Sequence, residues 1–182
     1  MKLFKKLAAA ALAAVLALSM VGCGAGGTGS ALDLKNEVLN LIEDEYYLSG
    51  KTATHTTAMD TEAAKLIEKA AADETAKDEN VTVKALLEKQ TFEGEGGYIA
   101  IFAPYTQLRT EMWQQNYVYD MQGALAWATE SHNYGETSSY DNMIVKIGTP
   151  GISDNDSIEM GVATGTIKGR NYLVLLVQNA RA

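Results

Sequence analysis

One short segment of the chain brings an imidazole, two carboxylates and a hydroxyl close together. Glu130, Ser131 and His132 are consecutive, and Glu136 follows four residues after the histidine. A neighbouring carboxylate can orient a histidine so that it acts as a general base or as a metal ligand. The same residue types collect in hydrophilic loops that follow helices. His132, Glu130 and Glu136 are the catalytic candidates, and the pattern favours a solvated loop over a catalytic site.

Aromatic side chains are dense in the middle of the chain and occur together with glutamine and asparagine. Amphipathic rings with a few polar groups would suit a groove that binds a glycan or a peptide. Alternatively, about half of the rings pack in the core and the others are ordinary surface residues. The residues assigned to this candidate groove are Tyr105, Trp113, Tyr117, Tyr134 and Tyr140.

Two acidic runs invite a calcium-binding interpretation that their spacing does not support. An EF-hand needs oxygen ligands at alternating positions, a glycine at the sixth and a glutamate at the twelfth. The run 154–156 (DND) lacks this pattern, and the run 43–45 (EDE) continues a helical face. We expect a turn and a solvated helix surface, with no metal site and no cofactor. The histidine outside the catalytic candidates, His55, lies in a threonine-rich stretch and is expected to be a solvated loop residue.

The only cysteine, Cys23, ends an N-terminal segment with the features of a secretory signal. Residues 1–6 (MKLFKK) are cationic, residues 7–21 are almost entirely apolar, and glycines flank the cysteine. The apolar run is too short to span a bilayer comfortably, and its small-residue end suits a processing peptidase. Residues 19–23 (SMVGC) resemble the lipobox, in which the peptidase cuts before a cysteine diacylated on sulfur. The resemblance implies a lipoprotein held at the cell membrane, on its extracytoplasmic side, by Cys23.

The expected cleavage divides the chain into three parts. Residues 1–22 are the signal peptide, 23–32 are the acylated cysteine and a flexible glycine-rich tether, and 33–182 are one folded domain. The signal carries three lysines, so its removal changes the formal net charge from −8 to −11. So acidic a surface does not suit nucleic acid, and it leaves the lipid anchor as the expected membrane contact. With Cys23 acylated no thiol remains for a disulfide, so packing must stabilise the domain.

The apolar pattern predicts helices early in the domain. We expect them after an N-cap at Asp33, near Asp60 and after Thr82, and a fourth after an N-cap at Asp120. The stretches 51–57 and 130–142 are polar and are expected to be loops. The helices thus precede most of the segments that could form strands.

The strongest structural signal lies in the apolar segments of the second half. Residues 98–103 (YIAIFA) and 143–147 (MIVKI) are predicted as strands, and 158–166 alternates as a strand with one buried face does. A turn at 168–171 leads into 172–177 (YLVLLV), which is apolar at successive positions. Such a run should lie at the centre of a sheet with helices on each side. We therefore expect an α+β domain, a three-layer α-β-α sandwich with a C-terminal antiparallel β-hairpin in its central sheet.

Segments along the whole domain resemble, in order, motifs of the CAP superfamily, the SCP-like extracellular domains of cysteine-rich secretory and plant pathogenesis-related proteins. Residues 37–45 (EVLNLIEDE) resemble the family's opening helix, and 59–66 (MDTEAAKL) resemble its second helix. Residues 96–100 (GGYIA) stand where the family has G-E-N-I-A. Residues 126–127 (AW) and 160–163 (MGVA) resemble its tryptophan and I-G-V-G-V-A motifs. The resemblance covers nearly all of residues 33–180 and implies a CAP-like α-β-α sandwich.

The departures from the family pattern concern its cleft, where two histidines and two acidic residues bind a divalent metal in several members. Gly97 stands in the place of the glutamate of G-E-N-I-A, and no histidine lies between the second helix and Tyr98. The second family histidine corresponds either to His132 or, in another register, to Ser139. At least half of the four cleft residues are absent in both registers, and one imidazole does not make a metal site. The resemblance therefore implies a degenerate cleft.

These features favour a surface-exposed, lipid-anchored, non-catalytic binding or interaction module of the bacterial cell envelope. The expected partners are the membrane, through the anchor, and a glycan, peptide or envelope-protein ligand, but not nucleic acid. The competing hypothesis is a metal-assisted or His132-dependent hydrolase that acts on extracellular or cell-wall polymers. A purely structural envelope protein without a pocket is the third interpretation.

Overall fold

The computed structural model describes residues 31–90, 97–106, 110–132 and 135–180, and only the backbone of residues 31 and 32. Within these residues the helices are α1 (Ala31–Leu48), α2 (Thr57–Ala72), α3 (Val83–Glu88) and α4 (Glu111–Thr129). The strands are β1 (Ala53–His55), β2 (Tyr98–Pro104), β3 (Ile144–Ile147), β4 (Ile158–Ile167) and β5 (Arg170–Asn179). Two 3₁₀ helices are Glu74–Lys77 and Ser139–Met143.

The strands form one mixed sheet in the order β1-β4-β5-β2-β3. β1 pairs with β4 in parallel, and the other neighbouring strands are antiparallel. β5 lies in the middle, and every side chain from Tyr172 to Val177 is buried, because both faces of this strand are covered. The predicted α+β class and the predicted central strand are confirmed.

The last two strands form the C-terminal hairpin through a two-residue turn at Lys168 and Gly169. Their φ angles are 51° and 75°, as in a type I′ turn, whose twist matches that of the paired strands. Lys168 Nζ donates to the backbone oxygen of Val81 at 2.6 Å, which ties the turn to the chain before α3. The predicted turn at 168–171 is shorter than expected, since Arg170 already pairs within β5.

Helices cover both faces of this sheet. α1 and α4 pack on one face, where Ile42 and Leu125 belong to the same buried cluster. α2 and α3 pack on the other face through Leu66 and Leu86. α2 approaches β4 closely because β4 has a glycine at the contact: a Cβ on Gly161 would lie 2.2 Å from the backbone nitrogen of Asp60.

The predicted starts of α1 and α4 were wrong, whereas α2 begins near Asp60 and α3 after Thr82 as predicted. α4 begins at Glu111, and Thr110 Oγ1 caps it by accepting from the backbone N–H of Trp113 at 3.2 Å. Its first turns mix aromatic and amide residues without a clear apolar stripe, so the sequence placed the cap at Asp120, which is an exposed residue inside the helix. α2 is capped by Thr56, with Asp60 in its first turn, and α1 begins two residues before Asp33.

The stretch 51–57, predicted to be a loop, contains β1. This strand has only three residues, and it pairs Ala53 with Ile158 and His55 with Met160. A short polar segment gives no local strand signal, because its backbone hydrogen bonds depend on a strand much later in the chain. The 3₁₀ helix Ser139–Met143 also lies mostly within a stretch predicted as loop.

Candidate functional site

A cavity of about 560 Å³ lies where α1 and α4 end, next to the loop that leads into β4. Its apolar floor is formed by Ala126, which is half-buried, and by Ile42 and Leu125, which are only 1% and 2% exposed. This size falls within the range of small-molecule sites, which combine apolar walls with a few polar groups. The charged and amide side chains that line the cavity are Glu45, Lys51, Gln122, Glu130, Asp154 and Asn155.

The end of α1 places a lysine beside the cavity. Gly50 has φ 71°, a left-handed conformation that glycine adopts without steric cost and that ends a helix. The chain turns back, and the backbone N–H of Lys51 donates to the oxygen of Tyr46 at 2.9 Å. Lys51 Nζ then lies 4.7 Å from the centre of the Tyr46 ring and also donates to the backbone oxygen of Asp154.

The electrostatic environment of Tyr46 is negative. Burial, and to a smaller extent the Asp156 and Asp154 carboxylates, raise the pKa of the Tyr46 hydroxyl to about 12. A phenol with this pKa stays neutral at physiological pH, because burial and nearby anions both disfavour its ionised form. This side of the cavity thus disfavours an added negative charge.

Hydrogen bonds hold the loop before β4 against the cavity. Asp156 Oδ2 accepts from the backbone N–H of Ser153 at 2.7 Å and from its hydroxyl at 2.9 Å. Ser157 Oγ accepts from the backbone N–H of Thr52 at 3.1 Å, which joins the loop to the segment before β1. Asp154 is therefore fixed at the cavity by bonds on both sides of it.

The end of α4 separates the catalytic candidates. Glu130 is the residue after the helix, its N–H donates to the oxygen of Ala126 at 3.0 Å, and its side chain lines the cavity. His132 and Glu136 do not line this cavity. The structure therefore does not bring Glu130 together with the imidazole.

His132 is held by Trp127. The two rings stack with centroids 3.4 Å apart and planes 24° apart, and His132 Nε2 donates to the backbone oxygen of Trp127 at 2.7 Å. Nδ1 lies 3.7 Å from Glu136 Oε2, which is longer than a hydrogen bond. The side chain is 22% exposed. The imidazole thus covers the end of α4, with one nitrogen already donating to the backbone.

The indole of Trp127 is fixed in turn by Asp141. Trp127 Nε1 donates to Asp141 Oδ1 at 2.9 Å, and the backbone N–H of Ser138 donates to Oδ2 at 2.8 Å. Both hydrogen bonds lower the pKa of the Asp141 carboxyl from its ordinary value, and the bond from Ser138 has the larger effect. Lys84 Nζ donates to the backbone oxygen of Asp141 at 2.7 Å. The set ties the 3₁₀ helix Ser139–Met143 to both α3 and α4.

The described aromatic residues of the candidate groove pack against the core. Tyr117 is 7% exposed, and its hydroxyl donates to the backbone oxygen of Ala103 at 2.9 Å. Trp113 packs on Tyr117 with ring centroids 5.0 Å apart. Tyr105 and Tyr140 are half-buried against the same cluster. None of these four lines the cavity, and Tyr134, like Cys23, lies outside the described residues.

The residues do not fit the divalent metal that the family resemblance implies. A Cβ on Gly97 would lie 2.0 Å from the backbone nitrogen of Pro150 and 2.2 Å from the carbonyl carbon of Thr149. A carboxylate side chain cannot occupy this position unless the backbone moves. Among residues 31–90, 97–106, 110–132 and 135–180, no three His, Cys, Asp or Glu side chains are grouped so that they could hold a metal ion.

Sequence reasoning missed an imidazole–carboxylate pair, because it treated His55 as a solvated loop residue. His55 Nε2 lies 2.9 Å from Asp60 Oδ2, and Asp60 Oδ1 accepts from the backbone N–H of Val162 at 2.7 Å. Lys35 is nearby, and burial lowers its pKa while the Asp60 charge opposes that shift. The usable signal was a histidine and an aspartate on either side of the N-cap Thr56. The pair fastens α2 to β1 and β4 and does not line the cavity.

Comparisons with known proteins give no further guide to this site. No family model matches the chain, and no curated protein and no solved structure matches it either. In the part of the chain that the structure describes, no helix is both long enough and apolar enough to cross a membrane. A function therefore has to follow from the residues and geometry of this chain.

Proposed function

We propose that the protein is a lipid-anchored, CAP-like domain at the bacterial cell surface that binds a ligand without catalysing a reaction. The observation that carries this proposal is the cavity between the ends of α1 and α4. Ala126, which lies above the buried Ile42 and Leu125, can contact the apolar part of a ligand, and the surrounding polar side chains can fix its orientation. This division of roles is typical of small-molecule sites.

The arrangement of helices and strands supports the CAP-like part of the proposal. Residues 37–45 and 59–66, which resemble the first two helices of the family, lie within α1 and α2. Helices pack on both faces of the sheet, and the C-terminal hairpin contributes its central strands. The anchor rests on the lipobox resemblance of residues 19–23.

Two observations favour binding over catalysis. The packing of Gly97 against Pro150 leaves no room for the family's cleft carboxylate. His132 Nε2 is engaged with Trp127, and no histidine lines the cavity. A general base has to reach the proton that it removes, so a ligand in this cavity has no described imidazole to act on it.

A His132-dependent hydrolase of extracellular or cell-wall polymers is the second candidate. The observation in its favour is the 3.7 Å separation between His132 Nδ1 and Glu136 Oε2, which a small movement could close. Hydrolysis of such polymers by the wild-type protein that is lost in His132→Ala would replace the binding proposal with this one. Equal, background-level hydrolysis by both proteins would remove the hydrolase.

The binding proposal is tested by a fragment screen on the full-length lipoprotein, purified in a non-ionic detergent. Backbone amide chemical shifts report the site of binding. We expect fragments to shift the amides around Leu125 and Ala126. Ala126→Phe places a ring in the cavity and should abolish these shifts. Ala71→Phe is the matched control, because Ala71 is exposed on α2 on the opposite side of the sheet.

The outcomes separate binding in the cavity from binding elsewhere. Shifts that vanish in Ala126→Phe and persist in Ala71→Phe support the proposal. Fragment binding that Ala126→Phe leaves unchanged, or no fragment binding at all, contradicts it.

A further inference from the structure

β3 lies at the edge of the sheet and has a strand on one side only in the described part of the chain. The order β1-β4-β5-β2-β3 pairs it with β2 alone. In an antiparallel pair, alternate residues direct their backbone N–H and C=O groups to the partner. The bond from the N–H of Tyr105 to the oxygen of Asn171, at 3.0 Å, continues the pairing of β2 with β5. The odd-numbered residues of β2 thus bond to β5, and the even-numbered ones bond to β3.

The outer edge of β3 carries backbone groups that the sheet does not use. Val145 and Ile147 stand opposite even-numbered residues of β2, so their N–H and C=O groups point into the sheet. The same groups of Ile144 and Lys146 point outward. Apart from the pairing of β3 with β2, no backbone–backbone hydrogen bond within the described ranges involves these two residues. Two donors and two acceptors are therefore in position to bond to a further strand.

A trough runs along this edge of the sheet. It is a cavity of about 490 Å³, lined by Lys84 and Glu88 from α3, by Asp141, and by Ile144 and Lys146 from β3. α3 thus forms one wall, and the 3₁₀ helix that contains Asp141 contributes to another. A single extended segment in the trough would add a sixth strand to the sheet, and its main-chain hydrogen bonds would supply affinity.

The charge that remains without a partner at this edge is positive. Lys84 Nζ lies 3.8 Å from Glu88 Oε1, and the Asp141 carboxylate is already bound by the indole of Trp127. Lys146 is exposed, and in the part of the chain that the structure describes no carboxylate forms an ion pair with its ammonium. An incoming strand therefore meets an available lysine on β3.

These features favour a single acidic strand over a second copy of the chain. A second copy would bring its own Lys146 to the same edge, and a lysine on an edge strand opposes pairing of this kind. The β3 of a second copy is also flanked by its own α3, so two such troughs cannot fill one another. A carboxylate directly opposite Lys146 is attracted instead. The net charge of −8 opposes this only weakly, because charges more than about 8 Å apart are largely screened at physiological ionic strength.

We propose that the outer edge of β3 binds an extended acidic peptide segment of a partner protein. The segment pairs antiparallel with β3, and one of its carboxylates lies directly opposite Lys146. This docking surface is separate from the cavity between α1 and α4, so the inference does not rest on ligand binding there.

The test uses blocked seven-residue peptides, titrated into the full-length lipoprotein in a non-ionic detergent at physiological ionic strength. One peptide alternates threonine with glutamate, and a second has lysine in place of glutamate. The amide chemical shifts of β3 give the dissociation constants. We expect the glutamate peptide to bind with a Kd of about 0.1–1 mM and the lysine peptide to bind at least about fivefold more weakly.

Backbone methylation separates strand addition from simple charge attraction. A residue directly opposite Lys146 exchanges both backbone hydrogen bonds with it, so the N–H groups of the glutamates point at β3 and those of the threonines point away. N-methylation of the glutamates should abolish binding. N-methylation of the threonines is the matched control and should change the Kd by less than about twofold.

Substitutions of Lys146 test the two parts of the site. Lys146→Glu should reverse the preference, so that the lysine peptide binds more tightly than the glutamate peptide. Lys146→Pro removes the outward N–H, which an edge strand tolerates, and should bind the glutamate peptide more weakly than Lys146→Ala, which keeps this donor. Lys65→Glu is the control for net charge, since Lys65 is exposed on α2, which packs on β4 away from β3. Lys65→Glu and Ala126→Phe should leave peptide binding unchanged.

Four results would overturn the inference. They are equal binding of the glutamate and lysine peptides, binding that survives methylation of the glutamates, chemical shift changes that lie outside β3 and its neighbours, and no binding of either peptide. Each of them leaves the proposed ligand binding between α1 and α4 in place, because Ala126→Phe tests that cavity separately.

Discussion

Because Gly97 packs closely against Pro150, the substitution Gly97→Ala should destabilise the folded domain. The added Cβ would lie 2.0 Å from Pro150 N and 2.5 Å from Pro150 Cα, whereas real Cβ atoms essentially never come closer than 3.0 Å. Backbone atoms have to move by about 1 Å, and they cannot rotate away as a side chain can. Overpacking a close contact typically costs 1–3 kcal/mol, so we expect a loss of about 3 kcal/mol in the free energy of unfolding.

Urea denaturation with a check for a constant slope measures this loss. In a thermal scan it corresponds to a drop in Tm of about 6–12 °C for a domain of this size. Gly151→Ala is the matched control, because a Cβ there meets nothing within 4 Å, and it should be neutral or stabilising by up to about 1 kcal/mol. Gly97→Glu, which adds a carboxylate at this position, should cost at least as much as Gly97→Ala. If Gly97→Ala stays within about 0.5 kcal/mol of the wild-type protein, the argument that this position cannot carry a carboxylate fails.

Three further predictions concern the anchor, the cavity and the core. Cys23→Ala should release the protein from the membrane fraction or leave it unprocessed, and mature protein that stays in the membrane fraction would contradict the lipoprotein assignment. The pKa of Tyr46 is about 12 in the folded protein and about 10 in the unfolded chain. Tyr46 should therefore contribute stability that is fully present below pH 10 and is lost as the pH rises from about 10 to about 12. Ultraviolet titration should show one tyrosine that ionises near pH 12, and Tyr46→Phe should remove this ionisation. Tyr117→Phe should lower the free energy of unfolding by about 1 kcal/mol, because the buried Ala103 oxygen loses the hydrogen bond from the Tyr117 hydroxyl. Tyr119→Phe, on the exposed face of α4, is the control and should change it by less than about 0.5 kcal/mol. Equal effects of the two substitutions in urea denaturation would contradict a stabilising role of the Tyr117 hydrogen bond.

Local patterns in the sequence were enough to predict the central part of the fold. The apolar run at 172–177 has to be buried on both faces, and the alternating strand before it pairs with it through a turn only two residues long. Thr82 was predicted as a cap and does cap α3, because its side chain bonds the backbone within the next turn. Such features depend on neighbours in sequence, so one chain is enough to find them.

Features that depend on distant pairing were not predicted. β1 exists because β4 lies beside it, and nothing in the sequence of Ala53–His55 signals that contact. The cavity joins Glu45, Glu130 and Asp154, which come from three distant segments and show no common spacing. Glu130 was singled out in the sequence, but as a partner of His132, and the structure places it in the cavity while the imidazole stacks on Trp127.

The position of a bound ligand tests the central proposal most directly. Crystals of the protein soaked with the fragments that shift the amides around Leu125 and Ala126 would give that position. The binding proposal predicts electron density in the cavity against Ala126, with polar groups of the fragment close to Gln122 or Glu130. Density beside His132 instead, with the cavity closed by its own side chains, would contradict it.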